Sequence, residues 1–255
     1  MFSHEGPDRS ARKNGILAGY LALTAGFVNA AGFVLIGSFT SHVTGSIGRL
    51  GNDIAARDGG AALFASLLVV TFFLGAFAAS MIVEAQFNRV AKGYGFALLL
   101  EGALLLSFLF IERIVQATHA RELDAEASIL CFAMGMQNSL VTRISGAVIR
   151  TTHLTGIVTD LGIEAARWYR WHRSRLVRIP TIVKSRDAGR PVLVRTVLLG
   201  TILVSFAVGG IAGAVVTAHH SRWAMVLPAL LLFAASGYAF ASKSRGPRPP
   251  MESVS

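Results

Sequence analysis

Of 255 residues, 53% are apolar and 15% charged, and the mean hydropathy is +0.56. So little polar surface cannot cloak a set of soluble helices, and the expected class is an integral membrane protein. The formal net charge of +10 would suit a nucleic-acid binder, yet most Lys and Arg sit beside apolar stretches, where a membrane topology already accounts for them.

The chain opens on a basic tail, residues 1–13, with Arg9, Arg12 and Lys13 and no signal-peptide cleavage site. Residues 14–48 then contain no Asp, Glu, Lys or Arg. A hydrocarbon core about 30 Å thick is crossed by roughly 20 apolar residues, so this stretch is too long for one simple span. Residues 59–83 are likewise uncharged, and 93–111 are interrupted only by Glu101. These three spans make a first unit, 14–112, followed by an outer loop, 113–125. Residues 127–146, interrupted only by Arg143, then 196–218 and 223–242 supply three more spans. They form a second unit, 126–243, which includes a basic loop, 167–195; residues 244–255 are a tail. The lone Cys131 excludes an intramolecular disulfide and reads as a small packing residue in the fourth span.

A motif recurs between the units. Residues 41–53 and 152–164 both read [Ser/Thr]-His-x-Thr-Gly-x-x-x-x-Leu-Gly-x-[Asp/Glu], and each copy follows an apolar segment carrying an Asn, Asn29 or Asn138. Placing the N-terminus inside puts most Lys and Arg on the cytoplasmic side, the densest run lying between Arg150 and Arg190. Both termini are then cytoplasmic. Units with an odd number of spans have opposite orientations, so the expected fold is two inverted three-helix repeats, with short or broken helices after spans 1 and 4. Secondary transporters have this plan, as do some channels and membrane enzymes.

The motif carries the chemistry. Thr44 and Thr155 are expected N-caps, and Gly45 and Gly156 let backbone approach a ligand or a neighbouring helix at the start of each half-helix. His42 and His153 donate, accept or titrate near neutral pH, and Asn29 and Asn138 offer donors and acceptors in apolar surroundings. These eight residues are the candidates for a substrate or ion path. Helix packing alone also uses caps, Gly and Asn, and is the competing reading. Glu101, a carboxylate in mid-span, is a candidate for proton coupling, with pairing as the alternative. Arg143 and Arg150 are candidates for anion contact, although inside positive bias explains them equally well. If residues 15–37 cross unbroken, His42 and His153 end near opposite surfaces; if the span breaks around 26–32, the motif dips back toward the midplane.

Further along, Ile157, Leu161, Ala165 and Trp168 recur at helical spacing while Asp160, Glu164 and Arg167 point elsewhere. With Trp168, Tyr169 and Trp171 at headgroup level, this segment reads as an interfacial helix, and the basic loop as a contact for anionic lipid head groups. No Cys/His cluster, Gly-Lys-[Ser/Thr] loop or Gly-x-Ser-x-Gly elbow occurs. No metal, cofactor or enzymatic role is therefore expected, and no nucleic acid. A homo-oligomer is compatible with the composition.

Residues 24–33, the Phe39-Thr40-Ser41-His42-Val43-Thr44-Gly45 segment, and Ala133-Met134-Gly135-Met136-Gln137-Asn138 followed by Thr151-Thr152-His153-Leu154-Thr155-Gly156 resemble the YoaK-type family of bacterial integral membrane proteins, a domain of unknown function. The resemblance runs from Gly15 to Ala241. It implies a bacterial inner-membrane protein of about six spans and no established substrate. The family typically carries Asp where this chain has Asn29. The expected function is a small-solute permease or exporter working by alternating access. The runner-up is a non-transporting sensor or assembly factor whose motifs pack the halves together.

Overall fold

The computed structural model describes residues 11–86, 89–111, 122–144, 154–176 and 193–241, and every regular element among them is helical. α1 (Ala11–Ile36), α2 (Val43–Ala55), α3 (Gly59–Ala85) and α4 (Val90–Ser107) come from the first unit. α5 (Glu122–Ile144), α6 (Leu154–Leu176), α7 (Leu193–His220) and α8 (Val226–Ala241) come from the second. Short 3-10 turns prolong α4 (Phe108–Phe110) and join α7 to α8 (Ser221–Met225).

Four helical stretches among the described residues are long and apolar enough to cross a membrane: Gly15–Ile36, Gly59–Ala85, Val90–Phe110 and Leu193–Ala241, the last containing both α7 and α8. α5 is not one of them, since Glu126, Gln137, Asn138 and Arg143 lie along it. Leu63, Phe73 and Phe77 on α3 and Val204 and Ile211 on α7 are exposed. Water would not tolerate so much apolar surface, and lipid does. Apolar helices with apolar outward faces mark the chain as a membrane protein.

Small residues hold the helices together. A Cβ on Gly26 of α1 would strike the carbonyl of Phe206 on α7, and one on Gly209 or Gly213 would strike the carbonyl of Leu23 or Phe27. Likewise a Cβ on Gly135 of α5 would strike the carbonyl of Phe72 on α3, and one on Gly75 that of Phe132. Glycine at these crossings lets backbones touch, which is how helices gain dispersion energy where no hydrophobic drive exists between them. Contacts step from Leu23–Gly209 to Phe27–Gly213 and from Ser80–Ser139 to Glu84–Arg143, so α1 runs parallel to α7 and α3 parallel to α5. α4 and α8 are antiparallel: Gly95 faces Phe240 and Gly102 faces Phe233. The Ser236 hydroxyl adds a hydrogen bond of 2.8 Å to the Gly95 carbonyl.

α1 is continuous through residues 26–32, yet the chain after it still turns back. Gly37 adopts φ +69°, a left-handed conformation costly for any residue with a Cβ, and its N–H caps the helix by donating to the Phe33 carbonyl at 2.9 Å. Phe39 then stacks on Phe33 with ring centroids 4.4 Å apart. The Ser41 N–H and hydroxyl both donate to Asn29 Oδ1, at 3.1 and 3.0 Å. The linker thus descends about two helical turns alongside α1 before α2 begins. The two sequence alternatives combine: the span is unbroken and the motif returns.

α6 corrects one helical-face expectation. Ile157 and Glu164 are buried, Leu161 and Trp168 are half-buried, and Ala165 is exposed. Glu164 turns inward instead of Ala165 because Arg167, three residues on, covers its carboxylate with an ion pair of 2.7 Å.

Candidate functional site

The returning linker, α3, α5 and the start of α6 enclose a cavity of about 650 Å³. Its floor and walls include His42 and Thr44 from the first motif, Asn138 from α5, and Thr155 from the second motif. Four of the eight path candidates therefore share one space. Phe72 and Ala76 of α3 supply apolar wall, while Ser41, Ser80, Ser139 and Thr142 add hydroxyls.

The remaining candidates play other parts. Asn29 stands behind the lining and anchors Ser41, whose neighbour His42 faces the cavity. An Asp there would accept the same two hydrogen bonds. Gly45 lies beneath the His42 imidazole, in whose volume a Cβ would fall. Gly156 lies in the first turn of α6. His153 and Arg150 lie outside the described residues. Glu101 is 1% exposed in α4 and does not line the cavity; its Oε2 has no hydrogen-bond partner among the described residues.

The N-cap expectation for Thr44 needs correction. α2 begins at Val43, with His42 at the N-cap making no side-chain capping bond. Ser46 N–H reaches the His42 carbonyl at 3.0 Å, so Thr44 already lies inside the first turn. Thr155 is likewise the second residue of α6, which begins at Leu154. α2 starts earlier because Asn29 has already tied Ser41 back, leaving Val43 free to take helical torsions. Both hydroxyls face the cavity instead of capping.

Two consecutive contacts form the α3–α5 wall. Ser80 Oγ and Ser139 Oγ share a hydrogen bond of 2.8 Å, and one turn further along both helices Arg143 Nη1 donates to Glu84 Oε1 at 2.9 Å. Sequence reasoning named Arg143 but missed the two serines. Their signal is the four-residue step: Ser80 with Glu84 and Ser139 with Arg143 each mark one helix face. Elsewhere Gln137 donates to the Leu21 carbonyl at 3.3 Å, tying α5 to α1. At the opposite end of α5, Arg222 meets buried Glu126 at 2.8 Å.

Among the described residues no group of His, Cys, Asp and Glu is arranged to hold a metal ion. A family described as a protein of unknown function, DUF1275, matches residues 17–238, and the YoaK-type proteins fall within it. No curated protein and no solved structure matches the chain.

Proposed function

The chain belongs to this DUF1275 family of proteins of unknown function, and from its cavity we propose that it is a small-solute permease or exporter working by alternating access. One observation carries the reading: His42 and Thr44 from one motif copy and Asn138 and Thr155 from the other line a single space of about 650 Å³, the size of a small-metabolite site. Polar groups among lipid-facing apolar helices are costly unless something polar meets them.

The reading includes two inverted halves of three spans in the inner membrane, both termini in the cytoplasm. Its support is the paired crossings: Gly26 meets Phe206 as Gly135 meets Phe72, and Gly209 meets Leu23 as Gly75 meets Phe132. Each α1 residue precedes its α5 counterpart by one constant interval, and each α3 residue its α7 counterpart by another. α2 and α6 are the corresponding half-helices, and their starts near the cavity match the broken-helix geometry of secondary transporters. Glu101, buried with no partner for Oε2 among the described residues, is the proton-coupling group. The basic face around Arg167 and Arg170 contacts anionic head groups. The protein acts without a cofactor and is not an enzyme.

The test is osmotic light scattering of proteoliposomes against acetate, phosphate, glycerol and glycine. One solute class should enter faster than in empty liposomes, and His42→Ala and Thr155→Ala should abolish that entry with little change in thermal midpoint. No entry for any of them, with His42→Ala acting only on stability, would replace this reading with the packing one. That runner-up has one observation in its favour, the His42 ring seated on Gly45.

A further inference from the structure

Arg143 lines the cavity and Glu84 does not, although the two are joined at 2.9 Å. The carboxylate stands at the rim, with 58% of its side chain exposed, against 31% for the arginine. Among the described lining residues there is no Asp or Glu. The polar lining instead holds groups able to donate hydrogen bonds: the hydroxyls of Thr44 and Thr155, one hydroxyl of the Ser80–Ser139 pair, the Asn138 amide and the His42 ring. The first turns of α2 and α6 contain no acidic residue either.

We propose that the cavity takes a small soluble anion, a carboxylate or phosphate, which displaces Glu84 from Arg143 on entry. For its physiological meaning the inference rests on the permease reading; the binding itself does not. An exposed ion pair contributes little, so exchanging one carboxylate for another at Arg143 is nearly free. The guanidinium fork donates two parallel hydrogen bonds to either oxyanion, and the Thr44 and Thr155 hydroxyls are placed to donate to the remaining oxygens. A cation would find no carboxylate among the described lining residues, and a neutral solute would have no charge with which to displace Glu84 from Arg143. Glu84 then acts as a tethered competitor for the Arg143 guanidinium.

The experiment follows the thermal midpoint of the purified full chain against sodium acetate and sodium phosphate. Sodium chloride, choline chloride and glycerol serve as controls at matched ionic strength. Acetate or phosphate should raise the midpoint in a saturable manner. Glu84→Gln, which removes the competitor, should lower the apparent Kd several-fold, and Arg143→Gln should raise it at least tenfold. Where Arg143→Gln does not fold, Arg143→Lys carries the test and should weaken binding while Glu84→Gln strengthens it.

Opposite signs for the two positions are the signature. Glu84→Gln weakening binding as the arginine variants do would make the pair structural and overturn the proposal. Protection by choline or glycerol but not by the anions would overturn the substrate class and leave the permease reading standing. Protection by phosphatidylglycerol nanodiscs alone, with none from free acetate or phosphate, would assign the site to a lipid head group and overturn the proposal as well. Anion binding without flux in proteoliposomes would remove the permease reading and leave this one intact.

Discussion

Gly135 on α5 lies so close to Phe72 on α3 that a single methyl group on it would overlap the Phe72 carbonyl. Gly26 on α1 stands in the same relation to Phe206 on α7. Backbone cannot retreat as a side chain can. Gly135→Ala and Gly26→Ala are each expected to cost about 1–3 kcal/mol through overpacking. Gly51→Ala, with nothing within 4 Å, is expected to be neutral or stabilising by up to about 1 kcal/mol. Thermal melts in one detergent separate them, and similar losses at all three positions would discard the close crossings as the cause.

Asn29 offers two hydrogen bonds to Ser41. Asn29→Leu removes the one oxygen that accepts both and is expected to cost about 1–3 kcal/mol, leaving the Ser41 N–H without that partner. Asn29→Asp keeps an acceptor of the same shape and should retain most of the stability. Denaturant titration compares them; Asp as damaging as Leu would mean that the bond to Ser41 is not what the position supplies.

Gly45 and His42 form a coupled pair, since the ring occupies the space a Cβ would need. Gly45→Ala should displace the imidazole from the cavity and impair solute entry, while stability changes little because a side chain can swing away. In a His42→Ala background the same change should have no further effect on entry. Independent effects of the two substitutions in a double-mutant cycle would contradict the coupling.

The ion pairs differ in depth. Glu126 is 2% exposed where it meets Arg222, so Arg222→Ala, which takes the cation from a buried carboxylate, should cost about 3–5 kcal/mol. Arg195→Ala, which opens an exposed pair with Asp160 at 2.8 Å, should cost no more than about 1 kcal/mol. Comparable losses in melting experiments would show that burial does not set the difference.

Much of the site was legible because its residues break a pattern. His42, Asn138 and Thr155 stand out in or beside apolar stretches, and the repeated spelling tied them together before any contact was visible. Ser80 and Ser139 were not legible, since hydroxyls in apolar helices commonly bond their own backbone. Ser66 to the Ala62 carbonyl at 2.9 Å and Thr71 to the Leu67 carbonyl at 2.8 Å do so here, and neither lines the cavity. Composition cannot separate the two kinds. The return of the chain after α1 was equally hidden: it depends on the backbone torsion of Gly37, one glycine among 26, and torsion leaves no mark in spelling. Glu164 was misassigned because a nearby arginine outweighed hydropathy. α5, expected as a span, carries too many polar groups to qualify by composition alone, and those groups face the cavity, α1 and Arg222.

The asparagine hook on α1 also behaves as a ruler. An unbroken helix has no natural stopping depth for a segment folded back along it, so the side chain that catches Ser41 decides how far the cavity floor sinks. Moving that catch by one turn, as in Asn29→Ala with Phe33→Asn, would shift the floor by about 5.4 Å. A relative with its hook elsewhere along this helix would set the cavity floor at another level, with the same scaffold around it.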